Sequence, residues 1–166
     1  IRKALSLHAD LSEIHAAKGL LELYNLNLKD SEKSFRRALK LNPNNSSAHS
    51  YYSIYLVAVG NFPLSLTHQY KAIELNPFIS SRMGALSTRF YLMREYSKAI
   101  KTAEEVLELF PNNDLLYANM ALAHAHLGLS DSALKNIQIA YEMEQRSDVY
   151  AHKGYIYALF GDRKES

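Results

Sequence analysis

Pro43, Pro77 and Pro111 stand 34 residues apart, and each closes a segment ending Leu-Asn-Pro, Leu-Asn-Pro or Leu-Phe-Pro. A fixed period of this length constrains the fold more than any local pattern, because it makes the chain an array of copies of one supersecondary unit. The copies agree beyond the proline: RRALKLNP at 36–43 answers to YKAIELNP at 70–77 and EEVLELFP at 104–111. Apolar residues recur at helical spacing from Ser12 to about Asn25 and again from about Asp30 to Leu41, so each period holds two helices of about 12 to 14 residues. Two such helices cannot bury their apolar sides alone and must stack on their neighbours.

With position 32 of the repeat set on each proline, units start at Ser12, Ser46, Ser80 and Asp114, and a fifth starts at Ser147 after a period of 33. Position 8 is Gly19 and Gly154, position 15 is Gly60, Gly128 and Gly161, position 20 is Ala99 and Ala133, and position 27 is Ala38, Ala72 and Ala140. Small residues at 8, 20 and 27 let antiparallel axes approach closely, and glycine at 15 turns the chain between them. Asn27, Asn61 and Asp162 stand where the second helix wants a cap. Pro63 falls in a first helical turn, where proline is tolerated, and the proline at 32 stops each second helix. The fourth unit has Gln145 in place of that proline, which predicts a looser joint from Gln145 to Ser147. Position 8 is Ser53, Ser87 and Ala121 in the middle units, and position 4 is His15, His49 and Met83 before Tyr117.

The chain has 166 residues, 48% hydrophobic and 22% charged, which is globular composition, and a formal net charge of +2, which argues against a polyanion partner. It has no cysteine, so disulfides and thiol catalysis are excluded and a reducing, cytoplasmic setting is expected. No apolar run is long enough for a membrane span, and no signal peptide is expected from the opening residues. Ala4 precedes Ala38 by 34 residues, so the chain starts inside a repeat, ends inside another at GDRKES, and is expected to be a piece of a longer protein.

No enzyme, metal or cofactor site is expected. Neither a glycine-rich phosphate loop nor Gly-x-Ser-x-Gly nor His-Glu-x-x-His occurs. His124 and His126 are two apart on a helix and point to nearly opposite sides, so they cannot chelate together. His15 and His49 sit at a packing position and are expected to be partly buried structural side chains. Glu104, Glu105 and Glu108, mixed with Lys98 and Lys101, read as a solvated outer face. Asn44 and Asn45 fit the glycosylation pattern but lie in a turn where Asn and Ser serve the backbone.

The spacing of Tyr150, Gly154, Tyr157 and Gly161, together with the small residues at 20 and 27 and the proline at 32, resembles the tetratricopeptide repeat over almost the whole chain. The resemblance implies an all-α fold, a right-handed α-solenoid of antiparallel helix pairs. Its units would be the end of a preceding repeat at 1–11, complete repeats at 12–45, 46–79, 80–113 and 114–146, and an incomplete one at 147–166.

It also implies a concave groove lined by positions 2, 5, 6, 9, 12 and 13 of the first helices. Carried onto this sequence, these supply Leu20, Leu23 and Tyr24, then Tyr51, Ile54 and Val57, then Thr88, Tyr91 and Leu92. Asn119, Leu122 and His126 follow from the fourth unit, and His152, Tyr155 and Leu159 from the fifth; Glu13 and Asp148 are the clear charges. Family members that grip the C-terminal carboxylate of chaperone peptides use a lysine and asparagine clamp, and here those places read Ala16, Leu20, Tyr51, Ser81 and Ala85. A neutral wall of tyrosines and aliphatics implies instead a protein-interaction scaffold or sensory arm that takes an apolar or amphipathic segment.

A second, weaker resemblance is to the repeat arms of bacterial signalling proteins, behind winged-helix regulators, class III cyclases or Ser/Thr kinases. It is carried by the run from Leu28 to Pro77, with its Ala-His, tyrosine pair and Gly-Asn-Phe turn. Pentatricopeptide-like binding of single-stranded RNA is the rival, but it needs a basic groove, whereas Lys33, Arg36, Arg37 and Lys40 belong to a second helix facing outward. A further alternative is a substrate-recruiting region of a larger enzyme. The partner is therefore expected to be a protein or peptide, with neither nucleic acid nor membrane, and the exposed repeat ends predict self-association.

Overall fold

The computed structural model describes residues 11–144 and 146–160, and among them there are nine α-helices and no strand. The helices are α1 (Ser12–Tyr24), α2 (Leu28–Leu41), α3 (Ser46–Ala58), α4 (Phe62–Leu75), α5 (Ser80–Leu92), α6 (Tyr96–Leu109), α7 (Asp114–His126), α8 (Ser130–Met143) and α9 (Ser147–Phe160). First helices begin at Ser12, Ser46, Ser80, Asp114 and Ser147, the positions read from the sequence as repeat starts. No helix among the described residues is long and apolar enough to cross a membrane.

The turn between paired helices is the same device four times. Leu26, Gly60, Arg94 and Gly128, each at position 15, hold left-handed φ of 59°, 77°, 62° and 75°. Around each, two backbone N–H groups fold back on the carbonyls of the helix just ended, as in Leu26 N to Leu23 O at 2.9 Å and Asn27 N to Glu22 O at 2.8 Å. The same pair recurs as Gly60 to Val57 and Asn61 to Leu56, Arg94 to Tyr91 and Glu95 to Phe90, and Gly128 to Ala125 and Leu129 to His124. This closure satisfies the orphan carbonyls of the first helix and reverses the chain in three residues. Asn61 caps its helix by accepting from Leu64 N, whereas Asn27 does not cap; it donates from Nδ2 to Asp30 Oδ2 at 2.8 Å. Asp162 and Gly161 lie outside the described residues.

Second helices end at Leu41, Leu75 and Leu109, and Asn42, Asn76 and Phe110, each one residue before a proline, are extended with φ of −143°, −153° and −135°. The proline ring forbids the α region to the residue before it, which explains the stop. Glu144 is extended in the same way (φ −150°) although Gln145 follows it. Gln145 itself lies outside the described residues, and Arg146 beside it pairs with Asp114 at 2.8 Å and Asp148 at 3.1 Å.

The chain forms two compact units, one ending at Arg82 and the other starting at Met83. In the first, α1 and α2 close on Phe35, which is fully buried with Leu23, Tyr52, Tyr55 and Leu56, while Ala16, Ala38 and Ala48 form the tight contact of three helices. Gly19 makes this possible, since a Cβ there would stand 2.8 Å from the Phe35 ring. The second pair repeats one bond of the first, Ser65 Oγ donating to Ser53 O at 2.8 Å as Ser31 Oγ does to Gly19 O, and differs in its centre, where Ser53 Oγ donates to Gln69 Oε1 at 2.7 Å and Gln69 Nε2 to Arg82 O at 2.6 Å. In the second unit α7, α8 and α9 enclose Ala121, Ala133, Ile137, Ala140, Val149 and Ile156, all fully buried. Ala103, Val106, Leu116 and Met120 form a neighbouring cluster between α6 and α7.

Candidate functional site

Positions 6, 9, 12 and 13 belong to the first helix of each repeat, so within each unit these residues are followed on the first-helix side. In the first unit that side is built by α1 and α3. Tyr24 is 72% exposed and Ile54 is 36% exposed. Leu20 and Tyr51 are half-buried, resting on the cluster around Phe35 and Tyr52, and Val57 is also half-buried. Leu23 is buried within that cluster, so it supports the surface rather than forming it.

In the second unit the corresponding side comes from α5, α7 and α9. Tyr91 packs against the core, and its hydroxyl lies 3.2 Å from Nε2 of His126, one repeat further on. The His126 ring stacks on Tyr96 at 4.7 Å with 4° between planes, and Tyr91 lies 5.8 Å from both rings. Burial, with smaller contributions from Tyr96 and Tyr155, holds the Tyr91 hydroxyl above its ordinary pKa, so it stays a neutral hydroxyl. Thr88 Oγ1 accepts from Asn119 Nδ2 at 3.1 Å, which ties α5 to α7 a turn further down. Tyr155, Leu92 and Leu159 are exposed.

Three of the sequence-assigned residues sit deeper than a binding wall requires. Leu122 is 7% exposed inside the α7–α9 core, and Asn119 is 9% exposed. His152 is half-buried, with a buried Nδ1 that has no hydrogen-bond partner. For Leu122 and Asn119 the cause is α7 itself: Leu116 and the whole stretch from Ala118 to Ala125 are buried, so a helix covered on all sides shows little of any face.

Conversely, Tyr96 was not assigned, because it belongs to a second helix; its place at position 17, directly after the turn, is the signal that brings it round to His126. The buried arginines were not assigned either. Arg82 donates from Nη2 to Ser47 Oγ at 3.0 Å while its Nη1 is buried without a partner. Arg89 donates from Nη1 to Ala85 O at 3.2 Å, and burial lowers its pKa.

His124 and His126 do diverge, His124 being buried beside Asn136 at 3.3 Å and His126 exposed. Among the described residues, no three His, Asp or Glu side chains lie close enough together to hold a metal ion. Asn45 uses its whole amide, accepting from Ala48 N at 2.9 Å and donating to Ser12 Oγ at 2.7 Å. It is buried and closed to glycosylation.

No family model matches the chain. Among curated proteins it is similar to Hsp70-Hsp90 organizing protein 1 of Glycine max, 34% identical over 87 residues, and to Hsp70-Hsp90 organizing protein 3 of Arabidopsis thaliana, also 34% over 87 residues. These alignments cover 52% and 51% of this chain and 15% of each relative, so the chain matches only a small part of their length. Among solved structures it is similar to a thermophilic TPR protein of Thermus thermophilus (TM-score 0.79, 18% identity, 90% of this chain and 83% of that one). YrrB, described as a TPR protein with an unusual peptide-binding site, superposes with TM-score 0.69 at 17% identity over 99% of this chain and 84% of that one. A turn repeated every 34 residues, small residues at the helix contacts, and these likenesses agree: the chain has the tetratricopeptide-repeat fold.

Proposed function

We propose that the chain is a protein-interaction module, a scaffold or sensory arm, whose first-helix faces hold an apolar or amphipathic polypeptide segment. One observation carries this reading: Tyr91, His126 and Tyr96 form a single interlocked aromatic cluster, with Tyr155 exposed on the same unit and no carboxylate among them. Rigid rings bring a large contact area at small entropic cost, and their polar tips fix the direction of a bound chain. Tyr24, Ile54 and Tyr51 give the first unit a comparable face. Two likenesses support the same reading: one neighbour in fold is described by its peptide-binding site, and the curated relatives are named for organizing Hsp70 and Hsp90. The chemistry proposed differs from a carboxylate clamp, since Ala16, Leu20, Tyr51, Ser81 and Ala85 bring no cation to the places where a clamp needs one.

The test begins with peptides selected from a random display library against the chain. They are expected to be rich in Leu, Ile, Phe and Tyr, and Tyr51→Ala combined with Tyr91→Ala is expected to abolish their binding while the helical circular dichroism stays intact. Selected peptides that share an acidic C-terminus, or that bind the double variant as well as the parent, would overturn the reading.

A further inference from the structure

The exposed side of α2 carries a feature that peptide binding on the first helices does not use. At 100° per residue, Lys29, Lys33, Arg36 and Lys40 fall within an arc of about 60°, one row running about 16 Å along the helix. All four are exposed. Like charges at i and i+4 repel, so such a row weakens its own helix unless something answers it. The nearby carboxylates are already engaged: Glu32 with Arg36 at 2.8 Å, Asp30 with Asn27 at 2.8 Å, and Glu22 with Ser34 at 2.6 Å and Lys18 at 3.3 Å. Among the described residues no carboxylate pairs with Lys29, Lys33 or Lys40.

Two adjoining clefts flank the row. One, of about 240 Å³, is lined by His15, Lys18, Asp30, Lys33, Ser34 and Arg37; the other, of about 500 Å³, shares Asp30 and Lys33 with it. The charge is local to this unit, since residues 1–82 hold ten Lys and Arg against six Asp and Glu, while residues 83–166 hold nine against eleven.

We infer that this row is a second docking surface, which takes an acidic polypeptide segment presenting carboxylates along about 16 Å. Carboxylates suit the row because each lysine ammonium can take one in a charge-assisted hydrogen bond, and a flexible polypeptide can place its side chains on the lysines around Asp30 and Glu32, which line the clefts. A nucleic acid gains its affinity from many released counterions, and a row this short releases few.

The probe is fluorescein-labelled deca-glutamate, followed by anisotropy against the whole chain at about 0.05 M salt, where screening is weak. The parent is expected to bind, with affinity falling as salt rises. Lys33→Glu with Lys40→Glu should weaken binding at least about tenfold. The same variant should unfold close to the parent's denaturant midpoint, because relief of the repulsion from Lys29, Arg36 and Arg37 offsets the loss of the Lys40 cation from the last turn of α2; a loss of binding that came from unfolding would instead show as a large drop in that midpoint. Tyr51→Ala with Tyr91→Ala should leave deca-glutamate binding unchanged, which separates this site from the aromatic faces. Absence of binding by the parent, unchanged binding by the charge-reversed variant, or loss in the tyrosine variant would overturn the inference. So would a single-stranded oligonucleotide that binds the row more tightly than deca-glutamate.

Discussion

Position 15 shows how one backbone requirement is met by unlike residues. Gly60 and Gly128 accept the left-handed turn freely, while Leu26 and Arg94 adopt it at φ of 59° and 62° against the repulsion between Cβ and carbonyl. Leu26→Gly and Arg94→Gly are each expected to raise stability by about 1 kcal/mol, and Gly128→Ala to lower it by a similar amount, as read from urea midpoints. Position 8 gives the opposite contrast. Gly19→Ala drives a methyl to 2.8 Å from the Phe35 ring and should cost about 1 to 3 kcal/mol, whereas Gly154→Ala, with nothing within 4 Å, should be neutral or stabilising. Glycine marked the turn in the sequence at 60 and 128, but Leu26 and Arg94 gave no sign of it, because a residue type that rarely adopts positive φ cannot announce that it does.

Among the elements, the α3–α4 pair stands apart. Where α2 offers Phe35, α4 offers Gln69, fully buried and bonded to Ser53 Oγ and the Arg82 carbonyl. Gln69→Leu should therefore cost about 1 to 3 kcal/mol despite its greater hydrophobicity, since it strands a buried carbonyl. The same pair holds His49 and His68 with their Nδ1 atoms 2.8 Å apart, and His49 Nε2 lies 2.9 Å from Pro43 O. His49 must donate at Nε2, so its Nδ1 accepts from His68 Nδ1–H, and protonating both rings sets N–H against N–H. Burial, then His49, lowers the His68 pKa to about 4 from 6.5. A lowered histidine pKa means the unfolded chain binds the proton first, so stability is full above pH 6.5 and falls as pH drops towards 4. Half-burial of the ring leaves a loss of about 1 to 2 kcal/mol, and His68→Gln should flatten that dependence in denaturation curves taken at pH 7 and pH 4.5. Helix limits were legible from apolar spacing and the prolines. The environment of α7 was not, because a helix that is apolar all round carries no stripe to say which side is covered.

For the molecule, the repeat period made the fold readable, while the burial of individual first-helix residues was only half readable. Of the residues at positions 9, 12 and 13, Tyr24, Ile54, His126 and Tyr155 are exposed and Tyr91 is half-buried, yet Leu23 and Leu122 share those numbers and lie inside, since the depth of a position depends on neighbours that the number does not encode. On α9, Tyr150, Tyr155, Tyr157 and Leu159 are all between 41% and 49% exposed, enough uncovered apolar area to predict concentration-dependent self-association. A light-scattering mass that stays monomeric up to high concentration would count against it. The claim on which the functional account rests, that an apolar partner lies on first helices and not on second ones, is tested most directly by amide chemical-shift mapping with a library-selected apolar peptide. Shifts concentrated in α1, α3, α5, α7 and α9 are predicted; shifts concentrated in α2, α4, α6 and α8 would contradict it.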